Sequence, residues 1–274
     1  MRFFILIFCL VNIVFAKQRI VTLSPSINEI VYALNKADEV VANTTYCNYP
    51  QESKTVTKVG GYANVSLEKI LKMKPTLVLA QDYNQKLIDN LKALGIKTMV
   101  FKTDTLDSIK YTIKSLGKVF KEEKRANKLI SSIDTALNST KNIVKNQKIM
   151  IVIHPSKNLK KSIFIAGNNL YFNDILEASG NKNAYASKNQ AQPVLNVEKI
   201  IALNPDIIII LAAFFENDKK GLDEVIDVWK RLPINASINN NIYAIAKEYS
   251  GIPSHRIKYF IQDYKKILID VKSK

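Results

Sequence analysis

Two stretches of this chain are copies of each other. Val65–Ala80 reads VSLEKILKMKPTLVLA and Leu195–Ile210 reads LNVEKIIALNPDIIII, and they align without a gap. Ser66 or Asn196 is a good N-cap in each, followed by apolar residues at helical spacing: Leu67, Ile70 and Leu71, or Val197, Ile200 and Ile201. Pro75 and Pro205 stop the helix, and the apolar run behind each suits a strand buried on both faces. Self-similarity at half-chain distance predicts two related α/β lobes. Glu68 and Glu198 take the same place in the first helical turn of each copy. A single carboxylate there would do no more than complement the helix dipole, worth about 0.3–1 kcal/mol. A matched pair asks for a shared role.

With 274 residues, 47% of them hydrophobic and 23% charged, the chain has the makings of an ordinary globular core. Its net charge of +16 is less ordinary and attracts anions. The lysines are nevertheless scattered over helix faces (Lys69, Lys72, Lys74; Lys110, Lys114, Lys118), with no arginine-rich arm or interleaved aromatics, so no nucleic-acid partner is expected.

Residues 1–16 read as a secretory signal peptide. Arg2 precedes a short apolar run, Val14-Phe15-Ala16 suits cleavage, and Phe8 before Cys9 argues against a lipoprotein signal. The mature protein is expected to be exported, soluble and monomeric, with Cys47 as its one thiol and no disulfide.

Strand and helix patterns alternate from Arg19–Ser24 to Thr105–Phe120, which predicts a mostly parallel sheet with helices on both faces. Residues 121–146 carry apolar positions at helical spacing without Pro or Gly, and are expected to form one long connecting helix. The lobes are then 17–120 and 147–274, the second restarting with strand Lys148–His154.

No phosphate loop, nucleophile elbow or H-E-x-x-H is present. Ligands of open α/β sheets bind at the carboxyl ends of strands. That rule selects Ser24, Tyr46, Tyr62, Gln81 and Tyr83 in the first lobe, and His154, Phe214, Glu248 and Tyr249 in the second. Several rings at strand ends suit a cleft for a large flat or chelate-like ligand. The competing reading is an exported α/β enzyme acting on an anionic substrate in the same cleft. Two histidines and one mature cysteine are a thin supply for such chemistry, and the expectation is no catalysis.

The segments RIVTLSPSINEIVYAL, TTYCNYP, KVGGYANVSLEKILKMKPTLVLA, IFIAGNNLYFNDILEASGNKNAY and EYSGIPSHRI together resemble the periplasmic metal-chelate binding proteins that serve ABC importers for vitamin B12, ferric siderophores and haem. The resemblance runs from Arg19 to about Lys266. It implies two Rossmann-like lobes joined by a long helix, a chelate held between them, small closure, and no intrinsic cofactor. It also implies that Glu68 and Glu198 pair with arginines of a dimeric inner-membrane permease. Cobalamin binders of this kind place tryptophans at the equivalents of Tyr62, the Gln81–Tyr83 loop and Gln192; here the only tryptophan is Trp229, within a predicted helix. Haem and siderophore relatives use Tyr or His on iron, for which Tyr62, Tyr83 or Tyr249 with His154 or His255 are the candidates. The identity of the chelate, and whether any side chain ligates its metal, stays open.

Overall fold

The computed structural model describes residues 17–62, 64–160, 162–186 and 190–274, so the leader expected at 1–16 lies outside the described residues. The first lobe runs β1 (Ile20–Thr22), α1 (Pro25–Ala33), β2 (Val40–Asn43), β3 (Thr57–Lys58), α2 (Leu67–Lys72), β4 (Leu77–Gln81), α3 (Gln85–Ala93), β5 (Thr98–Phe101) and α4 (Leu106–Phe120). Its five strands form a parallel sheet in the order β3-β2-β1-β4-β5. After α5 (Glu123–Asn138) the second lobe runs β6 (Lys148–Val152), β7 (Ile163–Phe164), α6 (Tyr171–Ala178), β8 (Lys182–Asn183), β9 (Val194–Leu195), α7 (Val197–Leu203), β10 (Ile207–Leu211), α8 (Lys219–Lys230), α9 (Asn235–Ile238), β11 (Ile242–Ile245) and α10 (Ile257–Ser273). Here β11-β10-β6-β8 are parallel, while β7 and β9 pair antiparallel as a separate ribbon. The expected α/β class with two parallel-sheet lobes is what the chain adopts.

Both copies of the repeat form the expected helix–strand unit, α2–β4 and α7–β10. All five residues of β10 are buried, as a continuous Ile run requires when helices cover both faces. The strand period of two divides these residues between different cores. Ile20, Leu79, Ile149, Ile207 and Ile209 enter one core shared by both lobes, together with Ile133 of α5 and Phe260 and Tyr264 of α10. Their neighbours face private cores: Val21 and Val78 pack with α3, and Met150, Ile208 and Ile210 pack with Val225 and Trp229. Each such fully buried aliphatic side chain contributes about 1.5–3 kcal/mol.

The helix expected over 121–146 is shorter. Lys121 sits in a left-handed conformation (φ 56°) that closes α4, and α5 ends at Asn138. There Ser139 and Thr140 turn their hydroxyls back onto the carbonyls of Ala136 and Leu137, and Asn142 and Asn146 adopt positive φ. Side chains that satisfy their own backbone compete with helix propagation. Among the described residues, no helix is long and apolar enough to cross a membrane.

Candidate functional site

Parallel strands place their carboxyl ends on one side of each sheet, and a cavity of about 270 Å³ opens where those ends of the two lobes meet. Gln81 at the end of β4, Asp82 just after it, and Thr103 and Asp104 beyond β5 line it from the first lobe. Ile153, Gln192, Leu211 and Pro253 are among those that line it from the second. Gln81 donates its side-chain amide to Thr103 Oγ1, which orients the remaining carbonyl.

The first lobe also presents three tyrosines in a row. Tyr46 and Tyr62 have ring centroids 5.1 Å apart, and Tyr62 and Tyr83 are 5.2 Å apart. They are 54%, 44% and 45% exposed, so each ring keeps a face for a ligand. Backbone requirements fix them. Gly60 has φ +129°, and a Cβ there would lie 2.3 Å from the Asn64 carbonyl oxygen, so only glycine closes the Tyr62 loop. The Tyr46 loop is tied by Lys58, whose ammonium donates to Asn43 Oδ1 (2.7 Å), Ser53 O (2.9 Å) and Cys47 O (3.3 Å). Tyr83 donates its hydroxyl to Leu23 O at 2.6 Å. Burial raises the phenols of Tyr62 and Tyr83, with smaller contributions from neighbouring Cys47 and tyrosines, so both stay protonated at neutral pH.

The second lobe answers with a different surface. His154, just after β6, lies edge-on to Phe164 (6.2–6.4 Å being the range it keeps to its two ring neighbours) and to Phe214, which is 81% exposed.

Three of the expected site residues are committed elsewhere. Ser24 is fully buried and caps α1 by accepting from Ile27 N. Glu248 accepts from Arg256 Nη1 at 2.8 Å, and Tyr249 donates to Asp263 Oδ2 at 2.7 Å while its ring packs on Tyr259 of α10. Strand-end position alone does not say which way a side chain turns. His255 is buried in a second cavity of about 410 Å³ with Glu29, Tyr32 and Glu52, away from the three tyrosines. Burial, then Arg256 and Lys258, push its imidazole down to about 3. Among the described residues no cluster of three His, Cys, Asp or Glu could hold a metal. Phe164 was not among the expected residues: it ends the two-residue strand β7, whose partner β9 lies far away in sequence. Asp104 was within reach of the strand-end rule applied to β5.

Glu68 and Glu198 are both exposed on the first turns of α2 and α7, and Glu68 pairs with Lys72 at 2.7 Å. The helices are capped alike: Ser66 Oγ accepts from Lys69 N and Asn196 Oδ1 from Lys199 N.

Two parallel-sheet lobes, strand ends facing a shared cleft walled by aromatic rings, define a two-lobed binding protein. The chain belongs to the periplasmic binding protein family, whose description matches residues 20–249. It is 32% identical over 237 residues to the uncharacterized ABC transporter substrate-binding lipoprotein YvrC of Bacillus subtilis (strain 168), covering 83% of this chain and 72% of YvrC. The periplasmic vitamin B12 binding protein BtuF of Vibrio cholerae superposes with a TM-score of 0.79 at 20% identity, covering 94% of this chain and 98% of BtuF. The periplasmic heme binding protein HutB of Vibrio cholerae superposes with a TM-score of 0.77 at 21% identity, covering 92% and 99%. These relatives are binding proteins, not enzymes.

Proposed function

We propose that this protein captures a metal chelate (a ferric siderophore, haem or cobalamin) outside the inner membrane and delivers it to a dimeric ABC importer permease. The observation that carries this reading is the cavity between the strand ends of the two lobes, lined by Gln81 and Thr103 on one side and Gln192 and Leu211 on the other, with the row Tyr46, Tyr62 and Tyr83 on the first lobe and His154 beside Phe214 on the second. A cavity of about 270 Å³ is at the small end for a ligand site, so it accepts one edge of a chelate. The macrocycle or chelate face rests against the exposed rings, where offset stacking adds about 0.5–1.5 kcal/mol per pair beyond burial. Surplus positive charge favours anionic chelates.

In this reading residues 1–16 are removed and the protein acts as a monomer in the periplasm. Residues 17–120 and 147–274 are the lobes, and 121–146 link them. Glu68 and Glu198 dock on the permease, one on each half. Exposed ion pairs contribute about 0–1 kcal/mol each, so the two carboxylates set orientation more than affinity. Titration of the purified protein with haemin, cyanocobalamin and ferric enterobactin, followed by visible absorbance and by quenching of Trp229, tests the ligand. Saturable one-to-one binding of one of them supports the reading, and indifference to all three as well as to other ferric chelates refutes it.

A further inference from the structure

The residues that open the first strand of each lobe, Arg19 before β1 and Lys148 in β6, make the same set of contacts to the two Glu-bearing units. Arg19 N donates to Thr76 Oγ1 at 2.9 Å, and Thr76 N donates back to Arg19 O at 2.9 Å. Lys148 N donates to Asp206 Oδ2 at 2.8 Å, and Asp206 N donates back to Lys148 O at 2.8 Å. Thr76 and Asp206 occupy matched places in the repeat, one residue after Pro75 and Pro205. The side chains then reach the open end of the preceding helix. Arg19 donates from Nε and Nη2 to Met73 O (2.9 and 2.5 Å) and from Nε to Lys74 O (3.1 Å); Lys148 Nζ donates to Leu203 O (3.0 Å). Met73 and Leu203 are again matched, and the residues after them, Lys74 and Asn204, share φ +47°.

The helices so held are short, six residues in α2 and seven in α7. Helices of this length do not persist on their own, and their direction is set by what holds their ends. Their last carbonyls carry the negative end of the peptide dipoles, where a cation is favourable. The two clamps differ in one instructive way. Asn tolerates the left-handed conformation, and Asn204 is further held by Asn235. Lysine does not favour it, and at Lys74 the guanidinium fork spans both carbonyls where the ammonium takes one.

We propose that Arg19 and Lys148 are positioning residues for permease docking, each fixing the helix that presents one docking glutamate so that Glu68 and Glu198 leave the two lobes in the same local frame. The proposal rests on the docking role of those glutamates given above. It makes the clamps, rather than the ligand cleft, the determinant of how the protein seats on a two-fold partner.

The test uses the full mature protein and its importer permease in lipid nanodiscs, with affinity read by surface plasmon resonance and helix order by amide hydrogen exchange. Arg19→Met combined with Lys148→Met keeps the aliphatic stems and removes the donors. The expected result is exchange about tenfold faster at Met73, Lys74 and Asn204 and permease affinity about tenfold weaker, with haemin and cyanocobalamin binding unchanged. Arg19→Lys with Lys148→Arg keeps a donor at both places and should retain permease affinity, which separates the clamp from any general loss of fold. Glu68→Gln with Glu198→Gln is the control for the underlying reading. If that control weakens docking and the methionine pair does not, the positioning role is overturned while docking stands. If the control leaves affinity unchanged, the docking reading falls and the positioning role with it.

Discussion

Glu29 and Arg256 meet across the seam between the lobes, one on α1 and the other just ahead of α10. Arg256 Nη2 donates to Glu29 Oε1 at 2.5 Å and Nε to Oε2 at 3.0 Å, and the two side chains are 3% and 4% exposed. Ser254 also donates to Glu29, Glu248 takes Nη1 of Arg256, and the Tyr49 ring lies 3.6 Å from the guanidinium carbon. The planar fork satisfies two carboxylates and a ring face at once, which lysine could not do. With Leu106 N donating to Asp174 Oδ2 at 2.7 Å, this pair ties the two lobes together.

Removing one partner of that pair strands the other in the interior. Arg256→Met should cost about 3–5 kcal/mol in urea unfolding. The double variant Glu29→Gln, Arg256→Met should cost less than Arg256→Met alone, because no unpaired charge remains. A double-mutant cycle with additive losses would contradict the coupling.

His255 makes the stability fall in acid. Its imidazole is neutral in the fold down to about pH 3, and its buried Nδ1 has no hydrogen-bond partner. The unfolded chain takes up a proton at this residue below its ordinary value near 6.5, so between there and about 3 the unfolded state binds more protons and stability drops with falling pH. The slope from this residue is at most about 1.4 kcal/mol per pH unit. Urea midpoints measured from pH 7 to pH 4 should fall less steeply in His255→Phe than in the parent.

Tyr62 is the middle ring of the tyrosine row and touches both others. Tyr62→Ala should weaken chelate binding about tenfold or more, while Tyr62→Phe should stay within about threefold, since stacking and not a phenolate provides the contact. Equilibrium titration by absorbance separates the two. A Tyr62→Phe variant as impaired as Tyr62→Ala would point instead to the phenol oxygen as a metal ligand.

Charge reversal reads docking independently of capture. Glu68→Arg with Glu198→Arg should abolish uptake in cells and leave chelate affinity within about twofold, because both residues lie on exposed helix turns outside the cleft. Normal uptake by this variant would remove the glutamates from the transport mechanism.

Lys58 is a loop anchor whose loss should show in both stability and binding. Lys58→Met leaves the carbonyl of Ser53 and the side chain of Asn43 without their charged donor and should cost about 1.5–3 kcal/mol. Chelate affinity should fall with it as the Tyr46 loop loosens, measured in the same titration as Tyr62→Ala.

The repeat was legible because each copy carries its own local instructions: a capping residue, three apolar positions, a proline and an aliphatic run. Every one of those acts within a few residues of itself. The strand-end rule likewise singled out Tyr46, Tyr62 and Tyr83, whose rings the fold places side by side, since parallel β strands put their exits on one edge. What escaped depends on partners distant in sequence. Two-residue β3 is a strand only because β2 lies beside it, and β7 finds its partner in β9 across some thirty residues. Glu248 and Tyr249 stand where a ligand residue would, yet Arg256 and Asp263 draw them away. The early end of α5 was written in Ser139 and Thr140, whose hydroxyls serve the backbone better than another helical turn does.

The shared core sets the order in which the molecule can be finished. Ile20 of β1 packs in the same cluster as Phe260, Ile261, Tyr264 and Leu268 of α10, so the first strand and the last helix of the described fold complete one another. Neither half of the polypeptide owns a full interior. A growing chain therefore leaves the shared core open until its final helix exists, while the private core of the first lobe can close before it.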